Sequence, residues 1–437
     1  MTGLHAPGFA EEAVRERARL GTAAAFPDRA GYGRTLFGET SARPADLIDA
    51  LRVVPPVFVP QRLEELIRLG REPLYLDVDL TTEAGGFRFP LPVYLSALGS
   101  TQVASTNLGV AIAVAAGRAG VPIVIGENVV PMHGYGRAAE DASAGMLLDR
   151  VRAYAEHAPD GLGGVVIQQS TEDADAEVWN LAYSDPTATG LLDSGRLAFE
   201  LKVGQGAKPG LGGMTVVSRD TAAAVAEQYL VDELFGQDAP HVLRCSSPGT
   251  FTDEILRQQI RLMRNNYPRA RVWVKLPPGR DVGAAALVAW AAGADAVTVD
   301  GAEGGTGWAP LGFLDHVGLP LAECLRRIGM ATRQADTQQR GDLLASGRMW
   351  AGHRVVKTLA LGATAVGLGR AALIAADEDP GHGLGRLLDC LALELRLLIS
   401  AVGKYSPAAL DGDDIWQPDG LAPDGLRGER IHEYLNH

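Results

Sequence analysis

The chain has 437 residues, with 53 glycines, 25 prolines, 46% hydrophobic and 21% charged residues, and a formal net charge of −13. That apolar content supports a large core and excludes global disorder. The acidic balance, with no basic block to neutralise phosphates, excludes nucleic acid as an expected partner. Cys245, Cys324 and Cys390 are odd in number and far apart, so no disulfide framework and no cysteine-held metal or iron–sulfur site is expected, and a reducing cytoplasm is the expected compartment.

From the start of the chain, Met1–Leu20 lacks the apolar run of a signal peptide. Residues 11–20 and 60–69 read as charged amphipathic helices, and 74–80 (LYLDVDL) alternates apolar and acidic residues like a half-buried edge strand. Residues 1–90 are therefore expected to form a cap or flanking extension. The most apolar stretch, 109–126, is broken by Arg118 and Pro122, so no membrane span is expected.

From residue 91 short apolar runs alternate with helical patterns. The runs are 92–98, 121–126, 163–169, 198–203, 271–276, 295–300, 341–346 and 364–368. Eight strands with helices between them predict an α/β fold, a (β/α)8 TIM barrel over 91–403. Their nearly continuous apolar character is that of strands buried on both faces. A Gly-rich insertion at about 204–270, containing Val242 and Leu243, reads as a substrate loop, and 404–437 as a C-terminal tail that wraps or docks.

Four clusters carry chemistry. The first is Ser346-Gly347-Arg348 with Gly367-Leu368-Gly369-Arg370, two glycine-rich turns following the last two strands. Their backbone N–H groups and a helix start suit one phosphate, since glycine lets the chain approach its oxygens. The alternative dinucleotide fingerprint over 367–372 fails, because Asp389, at the required distance, lies in a helical pattern instead of ending a strand. The second is the loop 300–307, whose Glu303 and Thr306 stand among Gly301, Gly304, Gly305 and Gly307 at a strand's C-terminal end. The third is Lys275, penultimate in RVWVKL, which points either into the barrel mouth or to solvent. The fourth, Gly204-Gln205-Gly206-Ala207-Lys208-Pro209-Gly210, presents a cation on a stiff turn suited to an acidic substrate, although Lys-Pro-Gly is also an ordinary surface turn. His133 and His353 are isolated, and no His-Gly-Gly-Arg-like base motif is present.

GQGAKPG at 204–210, VKL at 274–276, EGGTG at 303–307 and the spacing LGA-x-x-x-G-x-G at 361–369 resemble the FMN-binding synthase domain of glutamate synthase. LSALGS at 95–100 and the helical pattern 107–113 are similar to that family's first strand and helix. The resemblance covers roughly 72–403, and GQGAKPG is its specific signal. It implies FMN at the C-terminal mouth of the barrel, a 2-oxo acid such as 2-oxoglutarate, and ammonia or a small amine joined by hydride transfer. Carried over by position, Leu95, Ser96 and Ala97 would lie along the flavin and Lys275 at its N1/O2 edge. Gly305, Thr306 and Gly307 would also touch the cofactor, with Ser346, Gly347, Arg348, Gly367, Gly369 and Arg370 at its phosphate end. Gln205, Lys208, Arg244 and Thr306 would bind substrate, and Lys275, Glu303 and Glu127 would be catalytic.

Several positions depart from the family pattern. Residues 371–386 hold no cysteine, so the family's cluster is not expected. The amidotransferase domain with its N-terminal cysteine is likewise not expected, since Thr2 follows Met1. Asn128-Val129 and Gly347-Arg348 stand where the family has Gly-Gly. The resemblance thus implies a stand-alone form, related to the flavin subunit of N-methylglutamate synthase. Its expected partners are an electron donor or amidotransferase-like subunits and further copies of itself, and its amine pocket would lie near Asn128 and Trp308. Two other readings stay open: a different FMN barrel chemistry (2-hydroxy-acid oxidation or redox-neutral isomerisation), and a non-catalytic flavin-binding subunit.

Overall fold

The computed structural model describes residues 3–39, 43–98, 108–126, 142–170, 176–226, 229–335 and 341–418. Eight parallel strands close into a barrel: β1 (Val93–Leu98), β2 (Ile123–Ile125), β3 (Val165–Ser170), β4 (Leu197–Lys202), β5 (Arg271–Leu276), β6 (Ala296–Asp300), β7 (Asp342–Ser346) and β8 (Ala365–Leu368). These are the eight runs expected, each within two residues at either end. β8 lies beside β1, with Leu368 opposite Leu95, and β4 beside β5, with Lys202 opposite Lys275. A helix follows every strand, from Leu108–Ala119 after β1 to Arg370–Glu378 after β8. Helix Asp253–Asn266 is typical: the Thr252 hydroxyl accepts from Ile255 N at its start, and Leu256, Ile260 and Met263 form its buried stripe.

Inside the barrel each strand contributes a buried side chain to a lower layer, from Tyr94 and Val124 round to Trp273, Leu344 and Ala365. Phe87 and Phe89 close this layer from below. They sit on a hairpin of Thr82–Ala84 and Phe87–Phe89 whose Gly85–Gly86 turn has positive φ. Trp273 Nε1 donates to Gly85 O at 2.9 Å, and a side chain at Gly85 would press on the Trp273 ring. The expected edge strand at 74–80 is instead extended chain around a 3₁₀ turn, Tyr75–Asp77. Asp77 accepts from Leu74 N and pairs with Arg71, so the acidic residue closes a turn where alternation suggested a ladder.

The amphipathic helices Glu11–Leu20 and Pro60–Leu69 form as expected. The first packs on the barrel's outer helices Arg370–Glu378 and Gly383–Ala401, with Arg15 bridging Asp377 and Glu378 and Arg17 bonding Glu394. At the other end, Ile415–Trp416 pairs antiparallel with Arg52–Val53, and Lys404 is fixed by Asp411 and Asp414. Val242 and Leu243 belong to a true strand, His241–Cys245, but outside the barrel. It is the centre of a three-stranded antiparallel sheet with Met214–Ser218 and Leu230–Asp232, inserted after β4. Among the described residues no helix is long and apolar enough to cross a membrane.

Candidate active site

Asp300, the last residue of β6, organises the C-terminal mouth. Its carboxylate accepts from Lys275 Nζ at 3.0 Å, from the Ser346 hydroxyl, and from the backbone N–H of Gly206 at 3.2 Å. One carboxylate therefore ties together β5, β7 and the loop after β4. Lys275 and Asp300 are 7% and 6% exposed. A pair so buried survives only when further hydrogen bonds complete it, and the hydroxyl and the amide do so here. One layer deeper lies Glu200 of β4, 1% exposed, whose oxygens accept from Thr298 Oγ1 at 3.0 Å and from Gln168 Nε2. Burial pushes its carboxyl above the usual range, against the pull of Lys275 and the two hydrogen bonds.

Beside this ladder, β7 and β8 end in the two predicted turns. Gly347 and Arg348 both have positive φ, 148° and 55°, Arg348 being the one non-glycine residue so placed among the described residues. A Cβ at Gly369 would meet nothing within 4 Å, so open space lies off that backbone. One at Gly367 would collide with the Ser96 hydroxyl, which is buried and has no hydrogen-bond partner of good geometry among the described residues. Arg370 donates to the Glu303 carbonyl at 2.5 Å, and its stem lies against Gly305, where a Cβ would come within 3.0 Å. No carboxylate pairs with Arg370 among the described residues; burial and the neighbouring Arg348 lower it to about 10. Two guanidiniums side by side, one without a counter-ion, make a site for an anion.

Over the mouth fold the loops after β4 and β6. A Cβ at Gly206 would strike the carbonyl of Gly301, so these loops touch backbone to backbone. Gln205 Nε2 reaches Thr306 Oγ1 at 3.5 Å, and Thr306 donates to Trp308 O at 3.3 Å. Lys208 Nζ donates to Trp308 O at 3.2 Å and to Met214 O at 3.4 Å, which brings the ammonium to the seam between mouth and inserted sheet. Arg244, on the central strand of that sheet, is 4% exposed, lies 3.5 Å over the Tyr229 ring, and has a buried Nε without a partner among the described residues.

The remaining expected site residues are distributed as follows. Leu95 turns its side chain outward into the helix-facing core, while Ser96 faces the interior and Ala97 packs against the interior layer. Gly307 lies in the loop after β6. The Glu303 carboxylate accepts from Leu321 N at 2.9 Å, at the start of helix Leu321–Ala335, and burial raises it above the ordinary range. Glu127, Asn128 and His133 lie outside the described residues. Asp389 sits within helix Gly383–Ala401, as the rejection of the dinucleotide fingerprint requires. Sequence reading assigned no role to Asp300, Glu200 or Phe9. The signal for the first two was an acidic residue inside or ending an otherwise apolar strand, which burial makes costly without partners.

Fold and mouth together define a closed (β/α)8 barrel with a cationic site at the C-terminal ends of its strands. Residues 187–377 match the family described as the conserved region in glutamate synthase, a span that runs from before β4 to the helix after β8. Over that span the barrel is similar to the conserved region of glutamate synthase. The archaeal glutamate synthase [NADPH] of Methanocaldococcus jannaschii is 34% identical over 179 residues, 41% of this chain and 34% of that protein. The archaeal-type enzyme of Thermotoga maritima is 34% identical over 272 residues, 54% of this chain and 50% of that one. The chain thus spans about a third to a half of the length of these relatives. Among solved structures, a mutant flavocytochrome b2 with benzoylformate aligns over 90% of this chain and 82% of its own, with TM-score 0.56 and 16% identity. An active mutant of (S)-mandelate dehydrogenase aligns over 94% and 99%, with TM-score 0.55 and 18% identity. At those identities the likeness is one of fold.

Proposed function

We propose that this barrel binds FMN and works as an amine-forming oxidoreductase, joining ammonia or a small amine to a 2-oxo acid of the 2-oxoglutarate type. The observation that carries the reading is the arrangement of three features at one mouth: the Arg348–Arg370 pair beside open space at Gly369, the buried Ser96 hydroxyl facing the interior, and the Lys208 loop at the same ends of the strands. The donor set fits FMN. Two guanidiniums and glycine backbone suit a dianionic phosphate, and Ser96 and Lys275 offer a hydroxyl and a cation for the polar edge of a flavin.

Reduced FMN, when bound, supplies the hydride. The chain's own residues bind, orient and hold charge. Asp300 keeps Lys275 extended at the strand end, so that its positive charge is preorganised. Lys208, on a loop braced by Gly206 against Asp300, binds a carboxylate of the oxo acid, with Arg244 offering the second cation. Gln205 and Thr306 border that space. Glu127 and Glu303 are assigned to proton handling; for Glu303 that role requires its carboxyl to leave the Leu321 amide. An electron donor, amine-supplying subunits and self-association belong to the same proposal.

The test is the absorbance spectrum of the purified protein, then anaerobic photoreduction and addition of 2-oxoglutarate with ammonia or methylamine. Flavin bands that bleach and recover with the mixture support reductive amination. Bands that stay bleached there, in a protein whose oxidised flavin is bleached by a 2-hydroxy acid, replace it with an oxidase-type chemistry. A colourless protein that takes up no FMN overturns the cofactor assignment.

A further inference from the structure

The segment before the first helix reaches the anion site. The Phe9 ring lies 4.5 Å from the Arg370 guanidinium and 6.0 Å from that of Arg348. Arg348 Nη1 donates to the Gly8 carbonyl, and its Nε lies 3.7 Å from Asp46. The segment is anchored on both sides. Ala6 N donates to Glu11, and Arg15 binds the Leu4 carbonyl together with Asp377 and Glu378 of the helix that Arg370 begins.

Two facts make this more than contact. First, Arg348 occupies a left-handed backbone position that glycine adopts freely and a long side chain adopts at a cost. Such strain persists where the surroundings over-determine it, and it clusters at functional positions. Secondly, the side chain kept there is a second guanidinium beside Arg370, and Asp46, 3.7 Å from Arg348 Nε, is the one carboxylate among the described residues that offsets this like-charge pair. The Phe9 ring, near both guanidiniums, fixes their planes without adding charge, so the one carboxylate at the pair is Asp46 on the Arg348 side.

We infer that residues 8 and 9 are part of the cofactor site: Phe9 is a positioning residue that holds Arg348 and Arg370 as a two-cation clamp for a phosphate monoester, with the Gly8 carbonyl orienting Arg348. This rests on the FMN reading above and adds to it a contribution from the N-terminal segment. It also gives a reason for arginine at 348, since the second cation offsets the backbone strain only when phosphate is bound.

The experiment compares FMN with riboflavin, which lacks the phosphate, by flavin fluorescence titration of the full-length apo protein. Wild type, Phe9→Leu and Arg348→Gly are titrated, with thermal melting of each apo protein alongside. Phe9→Leu keeps an apolar side chain at the position and removes the ring. The clamp predicts that it weakens FMN by about tenfold and leaves riboflavin unchanged. Arg348→Gly should weaken FMN by ten- to a hundredfold while raising the apo melting temperature by about 1–2 °C, because the strain is relieved. A structural role alone would lower the melting temperature and move both ligands together, and that result overturns the clamp. So does an unchanged ratio of FMN to riboflavin affinity in Phe9→Leu. A wild-type protein that binds neither ligand overturns the FMN reading itself, a result distinct from wild-type binding that the variants leave intact.

Discussion

Glu200 is the residue whose chemistry is most constrained. Its carboxyl is raised by burial, so it behaves oppositely to the salt-bridged acids of the surface. Below the unfolded value, near 4.3, it is protonated in both states and costs nothing. As pH rises from there towards its higher folded value, the unfolded chain ionises freely while the folded one resists, and stability is lost. Glu200→Gln should therefore leave the urea midpoint unchanged near pH 4 and raise it at pH 7; equal midpoints at pH 7 would mean that Lys275 compensates the charge. Lys208 makes a prediction at the same scale. With its ammonium resting on two backbone carbonyls, Lys208→Ala removes a charge and leaves the loop's glycine contacts in place. The 2-oxo acid should bind about 10- to 100-fold more weakly, with FMN affinity unchanged. Loss of FMN would reassign that loop.

At the scale of elements, β8 and the turn that ends it hold two glycines that differ in what surrounds them. Gly367 faces the barrel interior against Ser96 and Tyr94, and Gly369 faces open space at a φ of −105°. Gly367→Ala should cost roughly 1–3 kcal/mol of stability by overpacking. Gly369→Val should leave the melting temperature of the apo protein near wild type and abolish FMN uptake, because the branched side chain fills the space proposed for phosphate. Retained FMN in Gly369→Val would remove the phosphate from that turn. The same strand illustrates what is legible in a sequence. TAVGLGR announces a buried strand and a backbone-lined turn through residue type alone, and the eight barrel strands stand out as short apolar runs that need no partner to be recognised. Contacts that join distant positions are not written locally. LYLDVDL has the period of a strand, yet Asp77 spends its carboxylate on Leu74 N and Arg71. Asp300 reads as the first residue of a glycine loop until β5, β7 and the loop after β4 converge on it. Glu303 reads as a mouth carboxylate, whereas its side chain is bonded to the helix that starts at Leu321.

At the scale of the molecule, the extension is sewn into the barrel it flanks. Arg354 of the helix after β7 is fully buried and binds both Asp46 and Asp49, and Lys357 donates to the Asp49 carbonyl. Asp46 is also the carboxylate nearest to Arg348 Nε, so the wall of the barrel and the phosphate turn share one anchor. Sequence reading separated residues 1–90 from the catalytic unit on composition. Composition says nothing of which helix an amphipathic face will meet, and here helix Glu11–Leu20 meets the helix that Arg370 begins.

The aromatic hairpin under the barrel also governs traffic. Among the described residues, Phe87, Phe89 and the buried layer above them stopper one end of the barrel, which leaves the C-terminal mouth as the doorway for what reacts there. A reductant and an oxo acid that use the same doorway must take turns. The reaction proposed for this barrel should therefore run as an alternation of half-reactions, with parallel double-reciprocal lines when the two are varied against each other. Intersecting lines would mean that both fit side by side in that doorway.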